Sequence, residues 1–179
     1  MKITLESLEE KESCRDGKAW FNSAFPDGGE YQSVIDQAVK DDRLDYVRWL
    51  LDNFGATYDV LEIDGDLISS VPVFFVGHIR VKGRISVDGY LFAGEGIEAG
   101  EGIKAGWGIE AGEGIKAGWG IKAGDDWGIY AGLRVRINKT AYRTVIASTE
   151  PRNLMCGVYK ERAKPRSEQA ARLTRCPIK

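Results

Sequence analysis

The side chains in this sequence best suited to engaging another molecule are tryptophans and carboxylates at repeated positions. Trp107 and Trp119 each stand between two glycines, and Trp127 follows the acidic pair Asp125-Asp126. Glu101 and Glu113 occupy the equivalent place in neighbouring repeats. A large amphipathic ring on a glycine-flanked corner need not be buried, and exposed tryptophan is a common anchor in binding sites. Trp107, Trp119, Trp127, Glu101, Glu113, Asp125 and Asp126 therefore form the candidate partner-binding set. The competing reading has the three rings packing on the rest of the chain or on each other.

Catalytic chemistry finds less to stand on. His78 is the only histidine; it has the chemistry of a general base, but spacing places no nucleophile or carboxylate beside it, and no G-x-S-x-G elbow is present. Gly94-Glu95-Gly96 and its copies contain G-x-G without the strand–helix context and further glycine of a phosphate loop. Asp64-Gly65-Asp66 and Asp125-Asp126 supply too few oxygens for a hard cation. Cys14, Cys156 and Cys176 are odd in number and far apart, which reads as reduced thiols. With one histidine, a four-ligand zinc site falls short. The expectation is no catalytic residue, no cofactor and no metal.

The elements that must position these residues follow from a six-residue repeat over residues 91–132, Ile-x-Ala-Gly-(Glu/Trp)-Gly. Ile97, Ile103, Ile109, Ile115, Ile121 and Ile129 open successive units, with Ala99, Ala105, Ala111, Ala117, Ala123 and Ala131 two residues behind. Residues two apart point the same way in a strand, so each unit sends one Ile and one Ala inward. Two glycines in six would cost a helix heavily; the Gly-x-Gly reads as turn chemistry, with glycine supplying positive φ. The result is a narrow β-solenoid of short strands. Looser copies at residues 61–65, 79–83 and 85–89 start it near residue 60. Twelve residues per coil would stack Glu98 on Glu110; eighteen stacks Glu98 on Lys116, pairs opposite charges, and is the preferred register.

Before the repeat the pattern is helical. Residues 7–10 have the spacing of a capping box, or lie inside a first short helix. Tyr31, Val34, Ile35 and Ala38 follow the i, i+3, i+4, i+7 rule. Asp41-Asp42 is a candidate N-cap for a helix through Leu44, Val47, Leu50, Leu51 and Phe54, which Gly55 closes. This head is expected to dock on the first rung and cover its open edge. After the repeat, residues 133–137, 144–147 and 154–159 read as strands of a small β-meander. The fold class is α+β: a helical N-terminal domain (1–58) capping a Gly-rich β-solenoid (59–132), closed by C-terminal strands (133–159), with a basic tail (160–179).

Composition is that of an ordinary globular chain, 43% hydrophobic and 29% charged with a net charge of −2. The charge is unevenly spread. Residues 1–60 carry 13 acidic and 7 basic side chains, and residues 159–179 carry 2 and 7. No apolar run approaches the roughly 18 residues of a membrane span, and residues 1–6 lack the apolar core of a signal peptide. A cytoplasmic location without membrane contact is expected.

The hexads resemble two known solenoid groups. One is the hexapeptide-repeat β-helix family of acyltransferases; there the base is a histidine, which would make His78 its counterpart. That pattern has a small residue two before the aliphatic one, where this chain has Glu95, Glu101, Trp107, Glu113 or Trp119. The other is the bactofilin type of cytoskeletal polymer, whose rungs read like residues 85–91 but which lacks a helical head. The whole arrangement is also similar to uncharacterised phage-encoded accessory proteins: Trp20-Phe21 and Trp49-Leu50-Leu51 in the head, the Ile-x-Ala-Gly array, and an end like residues 153–157. That likeness carries no established activity and implies only a phage or prophage setting. In such a setting the expected function is a non-catalytic interaction protein that binds and inhibits a protein or ribonucleoprotein machine of a bacterial host, of the anti-CRISPR or other anti-defence type, acting in the host cytoplasm. The alternative is a self-assembling, bactofilin-like scaffold, so a homo-oligomer stays open; a hexapeptide-type acyltransferase ranks lower. Direct nucleic-acid binding through Arg134, Arg136 and the tail ranks below the first two, because aromatic residues are sparse there.

Overall fold

The computed structural model describes residues 1–124, 128–131, 134–137, 144–147 and 158–161. The chain opens with β1 (Lys2–Ile3), α1 (Leu5–Glu10) and α2 (Arg15–Ala24), followed by β2 (Gly29–Glu30), α3 (Tyr31–Lys40) and α4 (Leu44–Phe54). β1 and β2 pair antiparallel and tie the first residues to the start of α3. The apolar stripes of the helices meet in one core of Ile3, Leu8, Phe21, Tyr31, Val34, Ile35, Ala38, Val47 and Leu50. Tyr31, 1% exposed, directs its hydroxyl at the carbonyls of Leu50 and Gly55, both 3.1 Å away. Burial drives its pKa far upward, with Asp52 adding to the shift.

One helix boundary differs from the sequence reading, and one left open between two alternatives is decided. The capping box is Thr4 with Ser7, each side chain accepting from the other's backbone N–H, so residues 7–10 lie inside α1. Asp41 ends α3 rather than starting α4, and Asp42 sits at φ +57. The carboxylate of Asp41 is already engaged: it accepts from Trp20 Nε1 at 2.8 Å and Gln37 Nε2 at 2.9 Å. These bonds, Trp20's foremost, hold its pKa below the usual carboxylate range. Gly55 closes α4 at φ +74, as expected.

From Val60 onward the chain winds three strands per coil. The first coil is β3 (Val60–Ile63), β4 (Leu67–Ser69) and β5 (Val73–Phe75); the second is β6 (His78–Val81), β7 (Ile85–Val87) and β8 (Leu91–Ala93). The third is β9 (Ile97–Ala99), β10 (Ile103–Ala105) and β11 (Ile109–Ala111); the fourth is β12 (Gly114–Ala117), β13 (Ile121–Lys122) and β14 (Ile129–Ala131). Each strand pairs in parallel with its counterpart eighteen residues away, Ile79 to Ile97 to Ile115 and Ile85 to Ile103 to Ile121. Ile109 pairs with Ile129, so the two extra residues are absorbed between β13 and β14 without loss of register. The inward Ile and Ala of coils two to four are buried as one column.

Burying an isoleucine is worth roughly 1.5–3 kcal/mol, whereas an exposed ion pair is worth about 0.2–1 kcal/mol. The aliphatic column therefore holds the coils together, and the charges outside select the register. That selection is visible. Arg80 reaches Glu62 at 2.6 Å, Lys82 reaches Asp64 at 2.6 Å and Arg84 reaches Asp66 at 3.0 Å, all across eighteen residues. Lys116 pairs with Glu98. The hydrogen bond from Lys116 holds the Glu98 carboxyl below its ordinary pKa, against the opposing effect of burial.

The repeat glycines owe their place to close packing rather than to positive φ. Among the described glycines only Gly28 and Gly55 have positive φ. A Cβ on Gly100, Gly106, Gly112 or Gly118 would run into the carbonyl oxygen of the residue eighteen earlier, and that backbone cannot yield without parting the coils. Gly102, a second glycine of the corner, is under less constraint: a Cβ there comes no nearer than 3.4 Å to Gly120 O.

The expected β-meander is replaced by continuation of the solenoid. β15 (Arg134–Ile137) pairs in parallel with β12, β16 (Thr144–Ala147) with β13, and β17 (Val158–Glu161) with β16. A meander needs antiparallel neighbours; β12 and β13 instead present open parallel edges on which a following strand extends the ladder. β17 takes in Lys160 and Glu161 from the expected tail. Residues 154–157 and 162–179 lie outside the described residues. Three faces result, built on β3-β6-β9-β12-β15, on β4-β7-β10-β13-β16-β17 and on β5-β8-β11-β14. No helix among the described residues is long and apolar enough to cross a membrane.

Two predictions follow from the stacking. Gly118→Ala should lower stability to urea by about 1–3 kcal/mol, the range for overpacking, while Gly102→Ala should cost less than half as much. Glu98→Gln should be less stable than the parent at neutral pH, because a depressed folded-state pKa contributes stability only above the unfolded value near 4.3. As pH falls through the folded-state pKa the two proteins should converge. Urea midpoints at pH 7 and pH 3 check this.

Candidate functional site

The coil geometry distributes the candidate residues over three different corners. Glu101 and Trp119 share one corner, stacked through Trp119 N–H to Glu101 O at 3.1 Å. Glu113 stands over Glu95 on a second, through Glu113 N–H to Glu95 O at 2.9 Å. Trp107 occupies the third, above Gly89, its N–H donating to Gly89 O at 3.2 Å. Trp107 and Trp119 are 46% and 41% exposed, so neither is packed away. Asp125, Asp126 and Trp127 lie outside the described residues. The described members of the set therefore do not converge on one surface.

His78 opens β6 with its ring beneath Gly96 of the next coil, where an added Cβ would come within 2.8 Å of it. Its Nε2 is buried and meets no hydrogen-bond partner among the described residues. Asp64 and Asp66 face the basic side chains of the second coil.

One described candidate, Trp107, does enter a built site. The head docks on the flank of the solenoid at β5, and a groove of about 800 Å³ lies between α4 and the face made by β5, β8 and β11. The sheet contributes Phe74, Phe92 and Glu110, which occupy one outward register position on three successive coils. Phe74 and Phe92 stack with centroids 5.9 Å apart, and Tyr90 meets Trp107 edge to face at 5.6 Å and 88°. α4 contributes Asp45, Arg48, Trp49 and Asp52. Arg48 spans the groove to Glu110 at 3.8 Å, and a smaller hollow of about 180 Å³, lined in part by Tyr90, Glu110 and Tyr130, adjoins it.

What holds the two walls in place is a side chain that behaves as a strand. Gln32 of α3 donates from Nε2 to Phe74 O at 2.8 Å and accepts from Val76 N–H at 3.0 Å. It thereby satisfies the backbone at the edge of the solenoid, as a neighbouring strand would. Val76, 2% exposed, is buried in the core of the head, and Thr57 N–H donates to its carbonyl at 2.7 Å.

Within the groove, sequence reasoning found Trp107 but missed the α4 residues and the aromatic column. The available signal was the outward position of the repeat: Phe74, Phe92 and Tyr130 stand where the regular units carry Glu or Lys. Nothing in the sequence assigned α4 to the face opposite them.

Residues 1–59 match the family described as the YdhT N-terminal domain. The match covers the helical head and ends where the solenoid begins. No curated protein and no solved structure matches the chain.

Gln32→Leu removes both bonds to the β5 edge and leaves a carbonyl and an amide short of partners, a loss of about 1–3 kcal/mol. Hydrogen exchange should show the Val76 amide and the α3 amides losing protection while amides of β9 to β12 keep theirs.

Proposed function

We propose that the protein is a non-catalytic interaction protein that holds a macromolecular partner in the groove between α4 and the solenoid. The observation that carries this reading is the groove itself: aromatic surface from two separate units, left accessible and edged with charge. Sites of this composition are typical of recognition, where rigid rings supply contact area at little entropic cost. The likeness to phage-encoded accessory proteins supports a fuller form, in which the partner is a protein or ribonucleoprotein complex of a bacterial host and binding inhibits it, as in anti-CRISPR or other anti-defence proteins. The acidic head supports that form too, since carboxylates compete with phosphates for a basic surface.

A specific observation favours a second reading, the self-assembling scaffold. The inward residues of the first coil, Leu61, Ile63, Leu67, Val73 and Phe75, are only partly buried, whereas their counterparts in coil two are at 0–1% exposure. The head covers the coil where it ends, at Phe74 and Val76, and β3, β4 and β5 each stand at the edge of their sheet. Such edges are templates for pairing with another chain. Against this, the acidic side chains at that end, Glu62, Asp64 and Asp66, are already held by Arg80, Lys82 and Arg84, so an added coil gains little from them.

Light scattering after size exclusion across a hundredfold concentration range separates the two. The interaction protein keeps a fixed mass, monomer or dimer. Mass that grows with concentration into open-ended oligomers sinks this reading in favour of the scaffold.

A further inference from the structure

We infer that the groove recognises an arginine-rich peptide segment of the partner protein, an assignment that rests on the interaction reading above. The argument starts from the faces of the rings. Aromatic faces carry negative potential and attract cations, guanidinium most of all because it is planar and weakly hydrated. Trp107 presents such a surface at 46% exposure, beside Tyr90.

Charge points the same way. Asp45, Asp52 and Glu110 line the groove against one cation, Arg48. Arg48 is held by Glu110 only at 3.8 Å, with both side chains well exposed, so an incoming guanidinium can replace it on Glu110 at little cost. The outward step from one coil to the next is about 4.8 Å, so Phe92 and Glu110 offer an apolar seat and an acidic seat one coil apart. Arginine matches both at once, its methylenes lying on the ring and its guanidinium reaching the carboxylate. The head as a whole, with 13 acidic and 7 basic side chains in residues 1–60, steers basic chains toward the site and disfavours nucleic acid there.

The test is fluorescence anisotropy of labelled octa-arginine, octa-lysine and octa-glutamate with the full chain at physiological salt. Octa-arginine should bind tightest and octa-glutamate not measurably. Trp107→Ala should weaken octa-arginine about tenfold, the size of one stacked cation. Asp52→Asn, a change at an exposed position of α4, should weaken it about threefold without touching the packing. Trp119→Ala, on another corner, should change nothing. Equal binding to the parent and to Trp107→Ala, or equal binding of octa-arginine and octa-glutamate, overturns the proposal. Zero-length carbodiimide cross-linking of the full chain decides the source: bonds within one molecule between the tail lysines, Lys164 or Lys179, and Asp45, Asp52 or Glu110 would make the chain's own tail the occupant and overturn assignment to a partner. A protein of fixed mass that ignores octa-arginine loses this assignment alone; one that polymerises loses the interaction reading itself.

Discussion

The structure depends on one constraint: through the regular coils, up to β13, each strand residue sits on the residue eighteen before it, at the spacing of a parallel β-ladder. That spacing leaves no room for a Cβ where the chain turns after alanine, which is why the repeat has glycine there. It places isoleucine on isoleucine and alanine on alanine, so the interior is a column and not a jigsaw. On the β3-β6-β9-β12 face it also brings opposite charges within reach across the coils, whereas on the neighbouring face Lys104 lies between Ser86 and Lys122. Arg80 illustrates the consequence, touching Glu62 below and Glu98 above. The narrow interior and the charge pairing of this face are two results of the same repeat length.

A ladder of this kind has no internal reason to stop, and its ends are where the rest of the chain acts. At the first coil the head does not pair another strand onto β5. It offers the side-chain amide of Gln32, which satisfies one acceptor and one donor without extending the sheet. The adjoining Val76 then serves as part of the helical core. The head and the solenoid are thus joined by shared backbone bonding and shared burial at one corner, which fixes α4 opposite the β5-β8-β11 face. At the other end the strands beyond the regular repeat still follow it: β15 and β16 lie in register on β12 and β13 although their sequences no longer spell the hexad.

Much of the solenoid was legible because its rules are local. The Ile-x-Ala period gives the inward residues, and the like-charge conflict of a twelve-residue coil against the Glu98–Lys116 match of an eighteen-residue coil gives the register; both needed only spacing. The corner glycine was read as turn chemistry because positive φ is the local reason for glycine, whereas the actual reason is a carbonyl eighteen residues away. Asp41 was read as a cap because its chain neighbours fit, but Trp20 claims its carboxylate from another helix. The parallel course of β15 to β17 was hidden because alternating sequence does not state strand direction; the open edges of β12 and β13 do. The groove was hidden for a similar reason. Its two walls are separated by the docking of one unit on another, and no periodicity encodes that contact.

Regularity and recognition pull in opposite directions in such a molecule. A repeat that stacks Glu over Lys and Ile over Ile offers the same surface on every coil, and a uniform surface cannot select one partner or one position on it. Selectivity has to come from places where the outward pattern breaks while the inward pattern holds. The β5-β8-β11-β14 face is such a place. Its outward register reads Phe74, Phe92, Glu110 and Tyr130, with Trp107 at the adjoining corner, while Leu91, Ile109 and Ile129 beneath them continue the column undisturbed. The aromatic substitutions cost the solenoid little, because outward positions contribute little to stacking. They gain a use only because the head stands across from them and turns an exposed ladder into a groove with a second, acidic wall.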